Sequence, residues 1–206
     1  MKEIIMKHKD KISKSSLLPE LELKKNKYFL FSVHREENVD TDKKLKKLED
    51  ILFYLSNNYG YPIVLSLHPR TKKVLDSQKF EKIKNIILHP PFAFTDYISL
   101  EINSRLVLSD SGTITEEASI LGFDAINLRQ THERPEGFEE GTVMFTGFGL
   151  SEIQNAICVL DKTRALNREM KIVKDYDVEN FSVKLVKSIF SYTGFIERYV
   201  WHKNYD

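Results

Sequence analysis

The sequence predicts an α/β domain, a three-layer Rossmann-like parallel sheet of about six strands. Three observations carry that prediction. Short apolar runs alternate with helix-period segments at roughly even spacing, the pattern of right-handed βαβ units. The runs are continuous rather than alternating, as strands covered on both faces require. With 41% hydrophobic residues, a chain of 206 can fill one such core.

Taken in order, residues 1–26 read as a lysine-rich helical lead-in and linker. Ile4, Ile5, His8 and Ile12 give a weak helical stripe, and "SSLLPELEL" looks like a linker. "KYFLFSVH" is the first strand, rich in aromatics. A helix capped by Asp40 or Thr41 follows, with Leu45, Leu48, Leu52 and Leu55 on one face. "YPIVLSLHP" is the second strand, ended by Pro69, and "TKKVLDSQKF" a short helix. "KNIILHPP" is the third strand, and "TDYISLEINS" a helix capped by Thr95 or Asp96. "RLVLSD", "DAINLRQ" and "GTVMFTG" complete the sheet, and "SEIQNAICVL" is a helix with a serine cap. Residues 27–177 thus form the domain. The remainder, 178–206, is helical and aromatic: Val183, Val186, Ile189 and Phe190 make one face. Tyr192, Phe195, Tyr199 and Trp201 add more apolar surface than a free tail carries, so these helices are expected to pack on the domain or on a partner.

Composition excludes several classes. Charged residues are balanced, with a formal net charge of +1, so no whole-chain field attracts nucleic acid. No apolar run reaches the ~18 residues of a membrane span, and the charged start lacks a signal-peptide core. The single Cys158 excludes an internal disulfide framework and favours a cytoplasmic setting. Scattered histidines and one cysteine give no metal-site spacing. Phosphate-binding glycine fingerprints and a serine elbow are also missing.

The chemistry gathers at "SDSGTITEEASILG". An apolar strand ends in Asp-Ser-Gly, where a helix opens, at the edge of the sheet that holds ligands. Unpaired N–H groups of a first helical turn attract an anion. Gly112 permits close approach, and Ser111 and Thr113 add hydroxyls. A diphosphate fits this turn; so does an ordinary cap before a core helix. Ile114, Ala118 and Leu121 mark the buried stripe. Glu117 lies about 7–8 Å along the axis from Gly112, at ~1.5 Å per residue, which matches the span from diphosphate to ribose. Its carboxylate can accept from both ribose hydroxyls, or serve as a surface acid; Glu116 reads as a solvated acid beside the helix dipole.

Other groups lie at the same edge. Phe92 and Phe94 can pack a flat base or serve the core. His34, in "SVHREENVD", can bond a phosphate or move a proton, with Arg35 beside it. His68 in "LHPR" repeats the pattern. Arg134 in "THERPEG" can meet a phosphate or bridge carboxylates.

Four motifs in order, "SVHREEN", "LHPR", "LSDSGTITEEASILG" and "LRQTHERPEGFEEGTVMFTG", resemble the carboxyl-terminal domain of the non-hydrolysing UDP-N-acetylglucosamine 2-epimerases. The likeness runs from about Lys27 to Gly147 and more loosely beyond. It implies the carboxyl-terminal half of a glycosyltransferase-B-like architecture, with UDP between two Rossmann-like domains. It also implies inversion at C2 of a UDP-2-acetamido sugar by UDP elimination and re-addition, as in capsule and O-antigen precursors, with no cofactor and no metal. Ser111 and Gly112 match the family's diphosphate turn, Glu117 its ribose ligand, and His34 its active-site histidine. Arg35 matches the first arginine of His-Arg-Arg-Glu, and His68 a position linked to nucleotide-sugar binding. Thr113 stands where the family commonly has a second glycine, and Glu36 where it has a second arginine. "HREENVD" and "DSGTI" look more like the branch that makes UDP-N-acetyl-L-fucosamine.

Family members are nearly twice as long. The resemblance therefore implies half an enzyme, inactive alone, whose partner is a missing amino-terminal domain or split-gene product, or which forms a homodimer. A non-catalytic nucleotide-binding module and the donor domain of a glycosyltransferase are the alternatives, since fold does not fix function.

Overall fold

The computed structural model describes residues 1–33, 41–67, 83–131, 134–166 and 171–203. His34, Arg35, His68, Pro69 and the "TKKVLDSQKF" helix lie outside the described residues.

The described strands are β1 (Phe29–Val33), β2 (Ile63–Leu67), β3 (Ile86–His89), β4 (Leu106–Ser109), β5 (Ala125–Asn127) and β6 (Met144–Phe145). They form one parallel sheet in the order β3-β2-β1-β4-β5-β6. Strand order reverses between β1 and β4, so the crevice beyond their carboxyl ends is the ligand position of such a sheet.

Each face of the sheet buries its own core. Phe29, Phe31, Val33, Leu65 and Leu108 pack beneath Leu48, Ile51, Leu52 and Leu55 of α4 (Asp42–Tyr59) and Ile153 and Ile157 of α8 (Leu150–Ala165). Tyr28, Leu30, Val64 and Val107 point the other way. They meet Leu100 of α5 (Phe94–Asn103) and Ile114 and Ala118 of α6 (Ile114–Leu121). The period of two in side-chain direction explains why the strands read as unbroken apolar runs.

The lead-in is part of the fold. Helices α1 (Lys2–Lys7) and α2 (Lys9–Ser13) bury Ile5 and Ile12 against Ile98 and Ile120, while Ile4 of the expected stripe is exposed. The stretch expected as a linker includes α3 (Leu17–Glu20), and Leu17, Leu18, Leu21 and Leu23 join the core beside α5. The leucines there find apolar cover, which offsets the cost of ordering them.

Capping follows the sequence at one helix and departs from it at two. The Thr41 hydroxyl accepts from the Lys44 amide at 3.4 Å, as expected. Helix α5 starts at Phe94, after Ala93, because Asp96 is engaged elsewhere and accepts the Ser15 hydroxyl at 2.6 Å. Helix α8 starts after Gly149, and Ser151 donates to Glu152 at 2.7 Å instead of capping. The charged loop after β5 contains a further turn, α7 (Pro135–Glu139), opened by a proline suited to a first helical position.

The last helix, α9 (Phe181–Tyr199), buries no residue. It is tied to α1 through Glu3, whose carboxylate accepts the Ser182 amide at 3.0 Å and hydroxyl at 2.7 Å. No described helix is long and apolar enough to cross a membrane.

Candidate functional site

The site begins where β4 stops. Asp110 is fully buried, and its amide donates to the Ser32 carbonyl of β1 at 3.3 Å, which joins the two strands at the switch point. The chain then turns. The Ser111 amide donates to the Ser109 hydroxyl at 3.1 Å, and the Asn127 side chain to the Ser111 carbonyl at 3.4 Å. The Ser111 and Thr113 hydroxyls lie 2.9 Å apart, and the Thr113 amide donates back to Ser111 Oγ at 3.3 Å. Helix α6 opens after Thr113 with no side-chain cap, so its first turn keeps N–H groups for a ligand.

Gly112 is required by what faces it. A β-carbon there would stand 2.6 Å from a terminal nitrogen of Arg134 and 3.5 Å from one of Arg129. The turn thus brings together two hydroxyls, a bare backbone and two guanidinium groups, a donor set for an oxyanion. Arg129 is buried and was not picked out in the sequence. It lies beyond the end of β5 because the Asn127 side chain turns back to accept the Arg129 amide at 3.0 Å.

Arg134 reaches the turn while Nε donates to Glu116 at 2.8 Å. Glu116 is therefore a paired, largely covered acid rather than the solvated one expected, since the arginine after β5 folds over it.

Glu117 is only 6% exposed. Burial pushes its carboxyl up to about 6, against hydrogen bonds from Thr113 and Glu101 that pull it down. Ser111, Thr113 and Glu117 form a polar row leading from the turn to this acid. The expected stripe holds for Ile114 and Ala118, with Ile120 added and Leu121 partly covered.

Glu101 of α5 is the acid the sequence reading passed over. It is fully buried beside Glu117, neither of its oxygens has a hydrogen-bond partner, and its carboxyl is raised well above the usual range by burial and then by the Glu117 charge. The spacing held a signal: Tyr97, Ile98 and Glu101 fall at i, i+1 and i+4, so an acid sits on the inward stripe of a helix. The Tyr97 hydroxyl bonds to those of Ser32 and Ser109 and is raised well above its ordinary value by burial, then by the Glu101 charge.

Phe92 lies on the loop after β3, stacked on His89 with centroids 3.9 Å apart and planes at 6°. Phe94 is the first residue of α5 and is 38% exposed, edge-on to His8 of the lead-in. Ser111, Gly112, Thr113, Glu117 and Arg134 are thus brought together, and Phe92 and Phe94 are placed at the loop beside them in sequence order. Among the described residues no three His, Cys, Asp or Glu side chains are grouped to hold a metal ion.

Comparison with known proteins gives the same direction. The family model described as UDP-N-acetylglucosamine 2-epimerase matches residues 1–190. The chain is 38% identical over 142 residues to the UDP-N-acetylglucosamine 2-epimerase of Methanocaldococcus jannaschii, covering 66% of this chain and 39% of that protein. It resembles the solved UDP-N-acetylglucosamine 2-epimerase of Rickettsia bellii with a TM-score of 0.84 and 38% identity, over 98% of this chain and 54% of the other. The Methanocaldococcus jannaschii enzyme in complex with UDP-GlcNAc and UDP superposes with a TM-score of 0.77 and 29% identity, over 93% of this chain and 52% of the other. The chain spans about half the length of the relatives it matches. With the Rossmann-like sheet, the Ser-Gly turn and a family match over most of its residues, the chain belongs to the UDP-N-acetylglucosamine 2-epimerase family.

Proposed function

We propose that these residues form the UDP-binding half of an enzyme that inverts C2 of a UDP-2-acetamido sugar. The observation that carries this reading is the anion-ready turn at the switch point with a buried acid one turn behind it. A relative solved with UDP-GlcNAc and UDP supports a nucleotide sugar as the ligand. In this reading Ser111, Gly112, Thr113 and Arg134 hold the diphosphate, and Glu117 accepts from the ribose hydroxyls. Phe92 and Phe94 flank the base. Arg35 and His68 add to binding of the UDP-sugar, and His34 is the catalytic histidine.

Inversion breaks the C1–O bond and the C2–H bond to give UDP and a glycal-type intermediate, then reforms both with the proton on the other face. Hydroxyl, N–H and guanidinium donors at the turn stabilise the charge that builds on the departing diphosphate. That is leaving-group work. The C2 proton needs a base within about 2.6–3.2 Å or one water, and His34 is this half's candidate. Because the chain spans about half of its relatives, we also propose that these 206 residues alone bind the nucleotide without turning it over.

Calorimetry with UDP, UMP and uridine in EDTA tests the reading. Affinity should fall in that order, and equal affinity for all three would remove the phosphate role of the turn. Glu117→Ala should weaken UDP by roughly 1.5–3 kcal/mol, the worth of a hydrogen bond to a charged group. Binding of inorganic diphosphate should change little.

A further inference from the structure

Glu101 has no described role, yet it is fully buried beside the site. Neither of its oxygens has a hydrogen-bond partner. Among the described residues no cation acts on it. On α5 it neighbours Tyr97, whose hydroxyl is engaged with Ser32 of β1 and Ser109 of β4. Beside β1 stands Tyr28, whose hydroxyl donates to the Leu100 carbonyl. The charged group that acts on Glu101 is Glu117 of α6, within hydrogen-bond reach. Glu117 differs: Thr113 bonds to it, and the charge of Arg134, which is paired with Glu116, acts on it.

Two ionised carboxylates in contact and out of water repel and leave lone pairs unsatisfied; one proton between them converts the contact into a bond. The proton belongs on the acid with fewer donors and no cation, which is Glu101. We propose that Glu101 is a positioning residue that keeps its proton at neutral pH and donates it to Glu117, locking that carboxylate in place for the sugar hydroxyls of the nucleotide. The proposal rests on the reading of Glu117 as the ribose ligand. The nearby Thr113 hydroxyl supplies a second donor, so Glu117 is held from two elements while Glu101 remains the acid.

This arrangement separates two replacements of similar size. Glu101→Gln keeps an N–H donor toward Glu117; Glu101→Leu keeps the volume and loses the donor. The probe is UDP-N-acetylglucosamine, whose diphosphate diester holds its charge from pH 5 to 8. Binding to the intact chain is measured across that range for wild type, both variants, and each in a Glu117→Gln background, which subtracts whatever the histidines contribute. Gln should bind at pH 7.5 within about twofold of wild type, and Leu about tenfold more weakly, as for one lost charge-assisted bond. In the Leu variant the loss of affinity on acidification should begin at a higher pH, because Glu117 then lacks a donor that favours its ionised form. Neither change should appear in the Glu117→Gln background. A carbon-13 carboxyl titration of the unaltered protein reads the proton directly, with Glu101 protonated at pH 7.

An ionised Glu101 at pH 7, equal binding by Gln and Leu, or the same tenfold loss without Glu117 would each overturn the proposal. A protonated Glu101 together with undiminished binding by Glu117→Gln would instead remove the ribose reading and leave the carboxyl pair standing.

Discussion

Glu117 sits in dry surroundings, so its proton affinity differs between the folded and unfolded chain, and stability must vary with pH. Its carboxyl is raised from 4.5 to about 6. The folded state therefore holds this proton more tightly. The resulting stabilisation is fully present below pH 4.5 and is lost as pH rises through about 6. Keeping Glu117 ionised at pH 8 costs on the order of 2 kcal/mol relative to pH 4. Glu117→Gln should accordingly gain stability over wild type as pH rises from 4.5 to 7, by roughly that amount, in urea melts at fixed pH steps. A constant difference at every pH would mean the acid is solvated in solution. Gly112 makes a second prediction at this scale. Gly112→Ala places a methyl against Arg134, so the guanidinium must withdraw. UDP affinity should fall several-fold with little change in melting temperature, since the displaced atoms are the far end of a flexible side chain.

Among the elements, α9 is where burial and composition disagree. Phe181, Val186, Ile189, Phe190, Phe195, Tyr199 and Trp201 are all more than half exposed. A helix with that much bare apolar surface is expected to be covered by a second copy or by a companion domain. Trp201 is the single tryptophan, so its emission reports on that cover. In a dilute monomer it should emit as a solvated indole and shift blue at concentrations where sedimentation shows association. A blue emission that persists in a strict monomer would place the tail in the core of this domain. The central strands were legible because β1, β4 and β5 are short runs buried throughout on a doubly covered sheet. Helix starts were less so: Asp96 and Ser151 have the chemistry of caps, but each was engaged by a partner that propensity does not foresee. The same blindness hid Glu101 and Arg129. An acid on a helix reads as solvated until the neighbouring helix is known, and Arg129 read as the tail of a strand that ends at Asn127.

At the scale of the whole molecule, the proposed binding groups cluster at one crevice of one sheet, and the proposed reaction needs groups on both faces of C2. In the proposed reading, the described groups at the turn address only the leaving diphosphate. Incubated in D2O with UDP-N-acetylglucosamine or its 6-deoxy L-sugar analogues, the chain by itself should place no deuterium at C2. Adding the amino-terminal domain of a relative should restore exchange, and His34→Ala should then abolish it. Exchange by the chain alone, lost in His34→Ala, would show that one half suffices. The parallel sheet also sets an order on synthesis. β1 gains one neighbour when Ile63–Leu67 has been made and the other only with Leu106–Ser109. Between those moments a growing chain carries its most buried strand with one side open, an apolar edge free to pair wrongly. Ribosome-stalled chains that end just short of Leu106 should be held by chaperones and cut readily by protease. Chains released past Ala165, with the covering helix made, should resist both.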